Sequence, residues 1–224
     1  MSQIDENVVL HARALWIAKN NLSKMRFIYD KLGYSIHQSG DEGKLVPSQE
    51  FALAFFLRSF SYLFASLSCL DEYLYSPCRD LLRTTYEMIY KGFFFSLRQD
   101  KAIDAYIKIQ TGDEKALEVP IRTIINELYQ DQINTMHHKF YTKICPYSHA
   151  DLIGANLNYR FFESEYKDCL QLIISAEYGF FAMIHFSLKK YFDEQLLKEL
   201  DSIVQEMQPY NPNVPIFYPN KVNN

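Results

Sequence analysis

Apolar residues recur along this chain at helical rather than strand spacing. From about Asp5 to Leu32, Val8, Leu15, Leu22, Ile28 and Leu32 stand among mixed charges with no proline between them, which predicts a first helix. Gly33, Gly40, Gly43 and Pro47, set among Ser, Asp and His, then predict a Gly-rich loop over residues 33–47. Ser48 precedes a second, strongly apolar helix reaching about Tyr75. Ser76 followed by Pro77 has the composition of a cap and first position for a third helix, whose apolar run passes through Gly92 to about Leu97.

Asp100 is expected to cap a fourth helix that Gly112 closes, and Pro120 restarts the chain as a fifth helix reaching about Phe140. The stretch containing Pro146 and Gly154 has no clean period and reads as loop with a short helical turn. A long apolar helix resumes from about Glu163 to Phe192. Asp193 is expected to cap a last amphipathic helix with Leu196, Leu197, Leu200 and Val204 on one side. The tail over 208–224 holds four prolines and is predicted to be extended, with Ile216, Phe217 and Tyr218 as its apolar anchors. The pattern therefore predicts an all-α fold, a bundle of about seven to eight helices with an extended Pro-rich tail. It forms a single domain over 1–224 with its core at about 48–207, without internal repeat or linker.

Composition adds the material of the core. With 17 Tyr and 17 Phe against one Trp, the interior must be largely aromatic, and buried tyrosine hydroxyls need partners. A formal net charge of −4 argues against a broad electrostatic footprint for nucleic acid, so no DNA partner is expected, although a local basic cleft for RNA or another anion is compatible with it. Cys69, Cys78, Cys145 and Cys169 show no C-x-x-C pairing and read as reduced core thiols, and the N-terminus lacks the basic start and apolar run of a secretory signal. Both features point to the cytoplasm. The apolar stretches Phe51 to Leu70 and Leu170 to Leu188 raise a transmembrane question. The first carries Arg58 and four serines and the second Glu177 and His185, so both are expected to be central bundle helices, with no membrane partner.

Candidate chemistry concentrates on the third helix. At 100° per residue Arg79, Arg83 and Glu87 share one strip with Tyr90, Phe94 and Leu97, while Cys78, Leu81, Thr85 and Met88 take the other side. A guanidinium on a helix apolar nearly all round must be paired or must face a cleft. Two readings follow: a buried polar network between helices, or an anion site formed by Arg79 and Arg83. A second constellation, Tyr147-Ser148-His149 with Asp151, is open to two readings that are compatible: His149 as a general acid or base, or Ser148 and Asp151 as a helix cap. His137 and His138 are adjacent and point about 100° apart on a helix, which disfavours a shared metal. No E-x-x-H, Walker or G-x-S-x-G motif is present, so no metal and no cofactor is expected.

With Arg79, Arg83 and Glu87 on a helix after a long apolar one, and Ser148-His149 in a later segment, residues 50 to 190 resemble a group of microbial all-helical proteins and, distantly, the HEPN superfamily. In HEPN ribonucleases the chemistry depends on an arginine and a histidine separated by four to six residues at a dimer interface. None of the histidines at 11, 37, 137, 138, 149 and 185 follows an arginine at that distance. The resemblance implies a homodimer in a defence or stress setting, and the missing pair favours a non-enzymatic binding protein. The rival reading is a ribonuclease or phosphodiesterase in which Arg83, with Glu87, stabilises phosphate charge and His149 moves a proton.

Overall fold

The computed structural model describes residues 6–40, 44–113, 115–129, 144 and 163–207. Among them are seven α-helices and no strand: α1 (Glu6–Gln38), α2 (Pro47–Asp71), α3 (Tyr75–Leu97), α4 (Gln99–Gln110), α5 (Ile121–Tyr129), α6 (Glu163–Leu188) and α7 (Glu194–Met207). A 3-10 turn over Lys189–Tyr191 links the last two. The expected all-α bundle is what the chain forms. The expected segment around His149, the histidine pair at 137 and 138, and the tail beyond Met207 lie outside the described residues.

Several boundaries differ from the expectation, each for a local reason. The first helix does not stop at Gly33 but runs on to Gln38, because Leu32 and Ile36 are both buried. Burying two aliphatic side chains outweighs the roughly 1 kcal/mol that a mid-helix glycine costs. The chain leaves α1 only at Gly40, at φ 68°, with Ser39 Oγ donating to the Ile36 carbonyl at 2.7 Å. α2 stops at Asp71 rather than Tyr75: Tyr73 takes a left-handed φ of 58°, and Leu74 N–H turns back to the Cys69 carbonyl at 2.8 Å. Consequently α3 starts at Tyr75, and Ser76 and Pro77 sit inside its first turn instead of capping it. Asp100 likewise lies inside α4, where it accepts two hydrogen bonds from Arg98 at 3.1 Å. Gly112, at φ 88°, closes α4, and Asp193 Oδ1 accepts from Leu196 N–H at 2.8 Å, both as expected. In α7 the inward side is Leu196, Leu200, Ile203 and Met207, while Leu197 is exposed.

α2, α3 and α6 make the most extensive mutual contacts and form the centre. Tyr29 stacks on Phe56, Phe51 and Phe55 reach Phe95, and Phe56 stacks on Phe180 with centroids 4.1 Å apart. These pairings run α2 antiparallel to α1 and α3. Arg79 with Glu165, Tyr86 with Leu172 and Ser96 with Ser187 show α3 and α6 running parallel. They pack tightly at Gly92, where an added Cβ would lie 1.9 Å from the Met183 sulfur. Only a residue without a side chain lets the two helices meet there.

Candidate functional site

The strip read from α3 divides in two. Arg79 is buried, and its guanidinium pairs not within its own helix but across to α6, with Glu165 and, at 3.9 Å, Asp168. Arg83 is half-buried and pairs along the helix, Nε to Glu87 Oε1 at 3.1 Å. Tyr90 and Phe94, on the same strip, are core residues. The Arg83–Glu87 pair follows from the one-turn spacing, but the partners of Arg79 stand 86 and 89 positions away and leave no local signal. Ser148 and His149, which the catalytic reading requires beside Arg83, lie outside the described residues.

Around Arg79 the first turns of two parallel helices face each other with matched spacing. α3 contributes Tyr75, Cys78 and Arg79; α6 contributes Glu165, Asp168 and Cys169. The neighbouring Cys78 thiol, with the guanidinium of Arg79, holds the Cys169 thiol below its ordinary value against burial and the Glu165 carboxylate. Cys78 is driven the opposite way, well above its ordinary value, by Cys169 and by burial. Cys69, from the last turns of α2, is half-buried and within electrostatic range of Cys78. The Tyr75 hydroxyl is buried without a hydrogen-bond partner among the described residues, and burial, with Cys169 and neighbouring acidic groups, pushes it up to about 12. The sequence identified these cysteines as reduced core thiols, which Cys78 and Cys169 are; that they are neighbours was not visible in their spacing.

A second buried polar pair joins α1 to α6. Asn21 Nδ2 donates to Glu177 Oε2 at 2.9 Å, both residues fully enclosed. Asn21 Oδ1 and Glu177 Oε1 find no partner among the described residues. Both are acceptors, and a proton on the carboxyl is the one change that turns one of them into a donor. Burial, opposed only in part by the Asn21 hydrogen bond, raises the Glu177 carboxyl well above its ordinary value, so the acid is held neutral. Glu177 entered the sequence reading as an argument against a membrane-spanning helix; its partner on α1 was not foreseen.

A groove of about 510 Å³ runs between α1 and α2, with Leu22, Phe60, Phe64 and Leu67 as its apolar walls and Lys19, Arg26 and Asp71 at its rims. A smaller hollow of about 250 Å³ adjoins it through Arg26 and Phe60 and reaches Tyr29 and Leu57. Phe64 is 59% exposed and Trp16, on the outer flank of α1, 61%. α2 and α6 are both long and apolar enough to cross a membrane, but only 39% of the apolar stretch of α2 is buried against 72% of that of α6. No protein-family model, curated protein or solved structure matches the chain.

Proposed function

We propose that this protein is a non-enzymatic interaction module that works as a homodimer, with the α1/α2 groove closing against a second copy. The observation that carries the reading is the contrast between two apolar helices of similar length, one with 72% of its apolar stretch buried and the other with 39%, its Leu57 and Phe64 exposed. Contiguous apolar surface of that kind marks an interaction site. Trp16, Phe64 and Leu57 are exposed on α1 and α2 and supply anchors of the kind that such contacts bury at their centre. At the rim Lys19 pairs with Asp71 across the groove at 2.8 Å and Arg26 pairs with Asp30 at 3.5 Å, which gives the apolar walls the polar border that surrounds the centre of an interface. The engagement of Arg79 by two carboxylates, and of Arg83 by Glu87, favours this reading over an anion site on α3.

Light scattering coupled to size-exclusion chromatography tests it. The purified chain is expected to elute as a dimer, and Phe64→Asp is expected to elute as a monomer with the helical circular dichroism of the wild type. A wild type that is monomeric at high micromolar concentration, or that leaves solution with phosphatidylcholine vesicles, refutes the proposal. The second outcome assigns the uncovered face of α2 to a lipid surface instead.

A further inference from the structure

We infer that the second copy joins through α2 itself, which pairs with the α2 of its partner antiparallel, about a two-fold axis between Phe64 and Ala65. This rests on the homodimer proposed above and names the helix, the direction and the register that make it. One side of α2 is already taken, since Phe56, Leu63 and Leu70 face the core. On the opposite side the outward positions recur every three or four residues from Leu57 to beyond Ser68, and large side chains alternate there with small ones: Leu57, Ser61, Phe64, Ser68. Leu57 is 44% exposed and Phe64 59%. Both serines turn their hydroxyls back on their own helix, Ser61 Oγ donating to the Leu57 carbonyl at 3.4 Å and Ser68 Oγ to the Phe64 carbonyl at 3.0 Å. Covering them therefore strands no donor.

Each end of this strip carries a charge that its own chain leaves unpaired. Arg58 and Glu72 are exposed, and neither has an ion pair among the described residues. Ala65 lies seven positions from each of them. The two charges therefore stand about 21 Å apart along the axis and within about 40° of one face.

An antiparallel copy centred beside Ala65 brings Arg58 to the partner's Glu72 and Glu72 to the partner's Arg58. One unpaired residue of each sign thus yields two ion pairs, as a self-complementary interface requires. The same register lays Phe64 over the partner's Ala65 and Ser61, and Leu57 over the partner's Ser68, so that large side chains meet small ones. A parallel copy would instead set Arg58 against Arg58, Glu72 against Glu72 and Phe64 against Phe64.

Charge exchange in the full-length chain tests the register. Arg58→Glu and Glu72→Arg each bring like charges together twice in the dimer. Each is expected to raise the dissociation constant at least about tenfold by analytical ultracentrifugation. The double variant restores opposite charges in exchanged order and is expected to return to within about threefold of the wild type. Cysteine cross-linking reads the direction separately. Positions 61 and 68 lie equally far on either side of the axis, so a mixture of the Ser61→Cys and Ser68→Cys variants is expected to form a 61–68 disulfide. Either variant alone stands about 10 Å along the axis from its own copy, beyond the reach of an S–S bond. The wild-type chain, oxidised in parallel, accounts for the native cysteines, and peptide maps identify the linked positions. A wild-type dimer that yields no 61–68 disulfide, or whose single-charge losses the double variant does not recover, overturns this pairing and leaves the homodimer standing. A monomeric wild type overturns both.

Discussion

Replacing Glu177 by glutamine keeps the shape of the buried side chain while supplying permanently the donor that a protonated carboxyl supplies conditionally. Burial raises the folded Glu177 carboxyl well above its ordinary value, so the folded chain holds a proton that the unfolded chain releases. Below the ordinary Glu value of about 4.3, both states are protonated and the contribution of the enclosed acid is fully present. As pH rises above that, unfolded chains ionise, folding must recapture the proton, and stability falls by up to about 1.4 kcal/mol per pH unit until the folded value is passed. Glu177→Gln removes this slope, since its amide carries a donor and does not titrate. The variant is therefore expected to match the wild type within about 1 kcal/mol near pH 4. By neutral pH it is expected to be the more stable of the two, with the gap widening as pH rises from 4. Urea unfolding followed by circular dichroism, repeated across that range, measures the gap, and other titrating groups cancel between the two proteins. A gap that does not change with pH, or a variant less stable than the wild type at neutral pH, refutes a neutral buried acid.

The two arginines of α3 are expected to separate cleanly on thermal denaturation. Arg79→Ala strands Glu165 at a buried interface and costs about 3–5 kcal/mol, whereas Arg83→Ala gives up a half-exposed pair worth less than about 1 kcal/mol. Equal losses would show that Arg79 is not enclosed. Gly92→Ala should gain about 1 kcal/mol from helix propensity alone. Because its Cβ would collide with the Met183 sulfur, a net loss of about 1–3 kcal/mol is expected, with partial recovery in the double variant with Met183→Ala. A Gly92→Ala protein with a raised melting temperature would mean that the α3–α6 approach is looser than described.

Most of the helices were legible because their burial is periodic along one segment at a time. Leu196, Leu200 and the Asp193 cap announce α7, and Gly112 announces the end of α4, through rules that involve neighbours within about a turn. The boundaries that misled were those where a tertiary contact overrides a local signal. Gly33 reads as a stop until Ile36 is seen to be buried, and Ser76-Pro77 reads as a start until Tyr73 is seen to turn the chain a few residues earlier. The candidate site was legible only in half. Arg83 and Glu87 carry their pairing in their spacing. Arg79, Cys78 and Asn21 take partners from α6, in a register that no single-helix pattern encodes. Equally, hydropathy gives α2 and α6 the same appearance, and only assembly shows that one of them is the less buried.

The Asn21–Glu177 bond closes a span of 156 residues, so the seat of α1 on α6 is tied to the protonation of one carboxyl. With α1 undocked, Glu177 would face water, where an ordinary carboxyl is ionised at neutral pH. Docking α1 therefore takes up a proton, and releasing α1 gives one back. Alkaline conditions should then loosen this helix ahead of the centre, with its amide hydrogens exchanging as a separate unit while those of α3 stay protected.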